Sequence, residues 1–323
     1  MSIAIQLLKT NPGAQVSSAL TGTLTTPSAR ISTDNLTMST VSTPTSTLPW
    51  AGLDCNGFNN WVAIGYHLTE RCIYSLDNGN TWTVSSMPDA NGYINICFGG
   101  DGYFYATAAN SGVLAKSLTG ATWTSQAITS SGWYGNCFKS TGQIMVLFAY
   151  NSATAACYSI LGNTWTYFTP PNNGTWMNLS VSRNRFWATQ TSGTSNAASS
   201  VDGTTWTART KPTTGYWRGG YGSDTMFMIC EDSNSTGYYS TDGISWTSTT
   251  FPSAASWNFV QFNGTYWVVI SDGTAVATST NGITWTARTK TNGLVGSIGH
   301  SRSTGRVVAV GYNNELAYIL EGK

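Results

Sequence analysis

The stretch SVDGTTWTARTK at residues 200 to 211 returns as STNGITWTARTK at residues 279 to 290. An internal repeat restricts the possible folds more than composition does, because each unit must be one supersecondary element stacked on its neighbours. The shared kernel is Ser, two or three residues, Gly, one residue, Thr or Ser, then Trp. It occurs as SLDNGNTW (75 to 82), SLTGATW (117 to 123), SILGNTW (159 to 165), SVDGTTW (200 to 206), STDGISW (240 to 246) and STNGITW (279 to 285). The tryptophans Trp82, Trp123, Trp165, Trp206, Trp246 and Trp285 stand 39 to 42 residues apart. Such a period, with four short strands per unit, is that of a β-propeller blade.

Apolar runs inside the units, such as YFYATA (103 to 108), IMVLFA (144 to 149), MFMIC (226 to 230) and VVAVG (307 to 311), are short and β-branched or aromatic. They predict strands, and no stretch holds a helical period. After Trp285 the chain supplies three further strands (294 to 301, 306 to 312, 315 to 322) but no fourth, while NLTMSTV (35 to 41) stands where a fourth strand would. The expected fold is all-β: a seven-bladed β-propeller of four-stranded antiparallel blades over residues 34 to 323, the last blade closed by the N-terminal strand. A six-bladed ring with a loose C-terminus is the alternative. Residues 1 to 33 are expected to form an extended anchoring segment, against the plainer reading of a polar, disordered tail.

Charge excludes several partners. Only 9% of the 323 residues are charged, the net charge is +1, and there is no basic run. Nucleic acid and anionic membrane surfaces both demand clustered Lys or Arg, so neither is expected. The start MSIAIQLLKT lacks the pattern of a signal peptide or membrane span, so synthesis in a cytoplasm is expected. The six cysteines contain no CxxC pair, and His67 and His300 are the only histidines. No metal site or cofactor is expected. Cys55, Cys97 and Cys137 recur at nearly one place in three repeats and read as innermost-strand packing.

The kernel resembles the Asp-box, or bacterial neuraminidase repeat, with SLDNGNTW the full form and the other five shortened by one residue. That resemblance implies a structural role for Asp77, Asp202, Asp242, Asn281 and the six kernel tryptophans, on the face opposite a ligand site. It raises sialidase or another glycosidase as a minor alternative; Arg71, Arg218, Glu70, Glu231, Asp232 and Asp272 are the candidates, and no Phe-Arg-Ile-Pro occurs. No catalytic residue is assigned. The low charge, the Ser, Thr, Asn and Gly content and the missing export signal also resemble propeller virion proteins of tailed bacteriophages. This implies a tail-fibre or receptor-binding propeller that contacts host-surface glycan, joins other virion proteins through residues 1 to 33 and is released by lysis. A capsid decoration protein and a free-standing lectin are the other readings.

A second repeat marks a candidate site. Trp50, Tyr93, Trp133, Trp176, Trp217 and Trp257 recur every 40 to 43 residues at the start of the innermost strand, with Leu294 in the seventh unit. Such side chains either wedge between blades or ring the channel mouth. The expected glycan-binding mouth comprises Trp133, Trp176, Trp217 and Trp257, with Tyr66, Asn151, Asn234, Asp272 and Asn313 bonding hydroxyls. The polar connections of that face, CEDSNSTG (230 to 237) among them, differ between repeats as a recognition surface would.

Overall fold

The computed structural model describes residues 36–41, 50–65, 72–109, 111–129, 133, 138–141, 144–150, 155–182, 185–190, 194–232, 234–290, 295–301, 303–311 and 317–322. Their strands form seven four-stranded antiparallel sheets. Sheets 1 to 6 each use four consecutive strands, over Trp50–Ser85, Tyr93–Ala127, Phe138–Phe168, Trp176–Thr210, Trp217–Ala255 and Trp257–Thr289. Sheet 7 takes Val295–His300, Val307–Gly311 and Ala317–Gly322 from one end of the chain and Leu36–Val41 from the other. With strands lettered A to D from the inside outward, neighbouring A strands touch in turn, and strand A of sheet 7 returns to strand A of sheet 1. This is a closed propeller ring.

The kernel forms the C to D hairpin, and its geometry explains its repetition. In sheet 4, Gly203 N–H donates to Ser200 Oγ at 2.8 Å, and Thr204 and Thr205 N–H donate to Asp202 Oδ1 at 2.8 and 2.7 Å. The Trp206 indole N–H then closes onto Gly203 O at 3.1 Å. Burial pushes the Asp202 carboxyl up, but these donors outweigh it and hold it at about 2. Each kernel glycine has a positive φ, from 70° to 89°, which is left-handed backbone that suits glycine. Close approach adds a second demand at Gly120, Gly162, Gly203 and Gly282. A Cβ on Gly120 would sit 2.7 Å from Val62 Cγ2 of the preceding sheet, and one on Gly203 would sit 2.8 Å from Ile144 Cδ1.

Sheets 2 and 3 lack the carboxylate and solve the hairpin differently. Thr119 Oγ1 takes over in sheet 2, accepting from Ala121 N–H at 3.3 Å. In sheet 3 the Ser159 hydroxyl is buried with no partner, and Leu161 itself adopts φ 58°.

The core is divided among the seams between sheets. Seven clusters of buried residues each join two neighbours, as Val62, Ile64 and Met87 of sheet 1 meet Tyr93, Ile96 and Phe104 of sheet 2. The aromatics at the start of strand A belong here. Trp133, Trp176 and Trp217 are 0% exposed and Trp257 is 1% exposed, so they offer no ring face to a ligand, and Trp133, Trp176 and Trp257 are wedged between sheets. The expectation that they line a glycan-binding mouth is corrected on that ground. Val295, not Leu294, stands at this position in sheet 7, because strand A begins there with the same irregularity as the others.

One core position, five residues after the kernel tryptophan, departs from apolar chemistry. It holds Met87, Ile128, Pro170 and Phe251 in sheets 1, 2, 3 and 5, but Lys211 and Lys290 in sheets 4 and 6, all of them buried. The Lys211 ammonium donates to Gln190 O at 3.0 Å and Gly215 O at 3.3 Å. Burial pulls its pKa down to about 8, with Glu231 acting against that.

Closure of sheet 7 by six paired residues, Leu36↔Gly322 through Val41↔Ala317, makes the ring depend on both chain ends. Deleting residues 34 to 44 is therefore expected to abolish the cooperative thermal transition; a single sharp melt at the wild-type temperature contradicts the closure. Leu161→Gly relieves left-handed strain at an exposed position, and calorimetry is expected to show a gain of about 1 kcal/mol. Lys211 is penalised for its charge below its folded pKa, and the penalty fades as pH rises toward its unfolded value of 10.5. The melting temperature of Lys211→Met relative to wild type should therefore be most favourable below pH 8 and should decline from pH 8 to 10.5.

Candidate functional site

Strand A carries a β-bulge at the same place in six sheets. The register shifts between Trp50 and Gly52, Tyr93 and Asn95, Trp176 and Asn178, Trp217 and Gly219, Trp257 and Phe259, and Val295 and Ser297. A bulge releases ladder groups and re-aims a side chain. The carbonyl released in sheet 5 is captured from the preceding sheet, Asn178 Nδ2 donating to Arg218 O at 3.4 Å, and Asn95 Nδ2 of sheet 2 donates to Trp133 O at 3.2 Å. Below the bulges lies a polar cavity of about 40 Å³, lined by Asn95, Lys139, Asn178, Gly220, Asn258 and Ser297 among others, with room for a few waters.

The re-aimed residue is Ala51, Ile94, Met177 or Gly296 in four sheets, but Arg218 in sheet 5 and Asn258 in sheet 6. Each of these two meets an aspartate from the B to C turn of its own sheet. Arg218 Nε donates to Asp232 Oδ2 at 2.9 Å, and Asn258 Nδ2 donates to Asp272 Oδ1. The aspartates are equivalent, since Asp232 N–H reaches Tyr216 O at 2.8 Å and Asp272 N–H reaches Ser256 O at 3.0 Å. The Arg218 guanidinium lies 4.9 Å from the Tyr216 ring centroid. Burial raises the Asp272 carboxyl above its ordinary range, against the pull of Arg218 and of the Asn258 amide. The Asn258 Oδ1 acceptor is buried without a partner. In a chain that is 9% charged, this side of the ring thus concentrates a guanidinium, two carboxylates, an amide and a tyrosine. Planar groups of this kind bind vicinal hydroxyls.

Residues expected at the site separate into groups. Asp272 stands at the mouth, and Arg218 and Asp232, taken from the glycosidase reading, join it. Asn234 lies beside it, donating to Glu231 Oε2 at 3.3 Å. Tyr66, Asn151, Asn313, His67, Glu70, Arg71 and Cys137 fall outside the described residues. The segment 230 to 237 is mostly not a loop: Phe227–Glu231 ends strand B and Asn234–Ser240 begins strand C, with Cys230 fully buried. Replacing it by a short turn would cut the sheet.

Cys55 and Cys97 are buried on strand A, and burial pushes the Cys55 thiol up to about 12, which keeps it unreactive. At the far end of the channel His300 Nε2 lies 3.1 Å from Tyr221 OH, and its Nδ1 lies 3.1 Å from Gln261 Oε1. Among the described residues no group of three or more His, Cys, Asp or Glu is assembled. No helix there is long and apolar enough to cross a membrane. Sequence reasoning missed Tyr216 and Asn258. The signal lay in comparing the residue after each strand-A aromatic across the repeats.

Residues 221–322 match the family described as the DUF6242 beta propeller domain, and no curated protein matches the chain. Among solved structures, a streptogramin B lyase is similar with a TM-score of 0.76 at 11% identity, over 88% of this chain and 98% of that one. A catalytically inactive virginiamycin B lyase from Staphylococcus aureus with quinupristin gives 0.75 at 9% identity, over 88% and 99%. YCF48 bound to D1 peptide gives 0.67 at 13%, over 88% and 94%. At such identities the likeness is one of fold, a β-propeller.

Proposed function

We propose that this chain is a seven-bladed recognition propeller of a tailed-bacteriophage virion, a tail fibre or receptor-binding part, whose channel mouth contacts a host-surface glycan. Residues 1 to 33 join it to other virion proteins in this reading. The carrying observation is the gathering of Tyr216, Arg218, Asp232, Asn258 and Asp272 at one mouth of an otherwise charge-poor ring. These groups stand on bulges and turns of rigid strands, a placement that pre-organises a binding site. The resemblance of the hairpins to Asp-boxes supports the same division of labour, with structure on the kernel face and recognition on the other.

A second reading, glycoside cleavage, draws on one observation: the raised Asp272 carboxyl near a second carboxylate and a guanidinium. Adsorption of the purified chain to host cells or immobilised glycan distinguishes the two. Arg218→Ala and Asp272→Asn are expected to weaken binding roughly tenfold or more, with the thermal transition retained. Unchanged binding by both variants overturns the site. Release of reducing sugar by wild type, lost in Asp272→Asn, replaces the recognition reading with the enzymatic one.

A further inference from the structure

The kernel face carries an exposed aliphatic side chain in each of its six hairpins. In sheets 1 to 4 it directly follows the kernel serine: Leu76, Leu118, Ile160 and Val201. In sheets 5 and 6 threonine occupies that place, and the aliphatic moves to just after the glycine, as Ile244 and Ile283. These six are 48% to 68% exposed. Every hairpin thus keeps one aliphatic although its position shifts, which local packing does not require. Leu161, held at φ 58°, and Phe58, in the turn bonded to Leu76 O through Asn59, add to the same face. Scattered apolar side chains are ordinary on a surface, but one per repeat around one face is a pattern that calls for a cover.

We propose that the kernel face is covered by the kernel face of a second copy of this chain, the two rings packing face to face about a two-fold axis. Charge supplies the register. Hairpins 1, 4 and 5 carry Asp77, Asp202 and Asp242, while hairpins 2, 3 and 6 carry Thr119, Leu161 and Asn281. No kernel contains Lys or Arg. The cations beside them are engaged: Arg185 donates to Asp242 O at 3.0 Å, and Arg306 to Asn80 Oδ1 at 2.9 Å.

Among the face-to-face registers that seven sheets allow, two keep every acidic hairpin off another acidic one, and only one of these sets each of them over an uncharged kernel hairpin. It has the axis through sheet 7, so that hairpin 1 faces 6, 4 faces 3 and 5 faces 2. Leu76 then meets Ile283, Leu118 meets Ile244, and Val201 meets Ile160 and Leu161. Sheet 7, where Leu36 and Gly322 pair at the kernel end, faces its own copy. Seven or eight apolar side chains with the hairpin backbone between them approach the ~800 Å² per partner of a stable interface. Both channel mouths point outward, and the inference does not depend on what they bind.

Sedimentation velocity on the full chain tests this over a range of concentrations. Wild type is expected to form a dimer, and Leu118→Ser with Val201→Ser is expected to dissociate it while the thermal transition stays in place. Asn281→Asp keeps the hairpin cap but places a carboxylate opposite Asp77; it should weaken the dimer roughly tenfold at low salt and less at high salt. Adding Asp77→Asn to it should restore association. A monomeric wild type overturns the proposal, including a monomer that associates only once residues 1 to 33 are removed, which would make that segment the cover. A dimer indifferent to these substitutions overturns it as well.

Discussion

The fold depends on a glycine that satisfies two demands at once. The kernel hairpin needs left-handed backbone at one residue, and that residue lies against the preceding sheet, where Gly120 approaches Val62 and Tyr74 and Gly203 approaches Ile144 and Val146. Another residue type would add strain at φ of 70° to 89° in every hairpin, and at Gly120, Gly162, Gly203 and Gly282 it would also crowd side chains across the seam. The serine, the aspartate or asparagine and the tryptophan then fix the hairpin around that glycine. A motif that looks like local turn chemistry is therefore the lock between units. This explains why it recurs with every period and why the core is divided among seams.

In the six sheets with the bulge, the inner end divides its duties between adjacent residues. The first strand-A aromatic wedges into a seam, while the bulge after it re-aims the next residue toward the channel mouth. The wedge hardly varies because its surroundings repeat. The bulged residue is free of that packing and differs from sheet to sheet, from Ala51 and Gly296 to Arg218 and Asn258. A recognition surface built this way changes chemistry without disturbing the ring, in contrast to a site made from the wedges.

Much of the fold was legible in the sequence because repetition makes position readable. The kernel spacing marked the hairpins, the strand-rich runs marked the B strands, and NLTMSTV marked the strand that pairs with Ala317–Gly322. The site was less legible. The same periodicity that exposed the aromatics made them attractive as a ligand ring, yet an aromatic that recurs with the period is answering a packing environment that recurs with it, and Trp133, Trp176 and Trp217 are fully buried. Function is better sought at aligned positions where the repeat breaks its own rule. Arg218, Asn258, Asp232 and Asp272 are such breaks, but the bulge that brings each pair together depends on strand register, which spacing alone does not disclose. Segment 230 to 237 misled for a related reason: polar residues extend a strand where its outer face meets water.

The breaks from the repeat also cluster, and their location has a physical logic. The seam between sheets 4 and 5 has a small buried core, Trp187, Ala197 and Phe227 with Trp246 against it, and Lys211 stands there in place of an apolar residue. Arg218, Glu231 and Asp232 begin on the far side of that seam, and Lys290 repeats the exception in sheet 6, the sheet that carries Asp272. In a ring whose cohesion is summed over neighbouring units, one seam can carry polar groups while the others keep the whole closed. Charge that would be costly in a single shared core is tolerated at the edge of one seam, where it stands at the channel mouth. The division of the core is thus what permits a concentrated polar site in so weakly charged a chain.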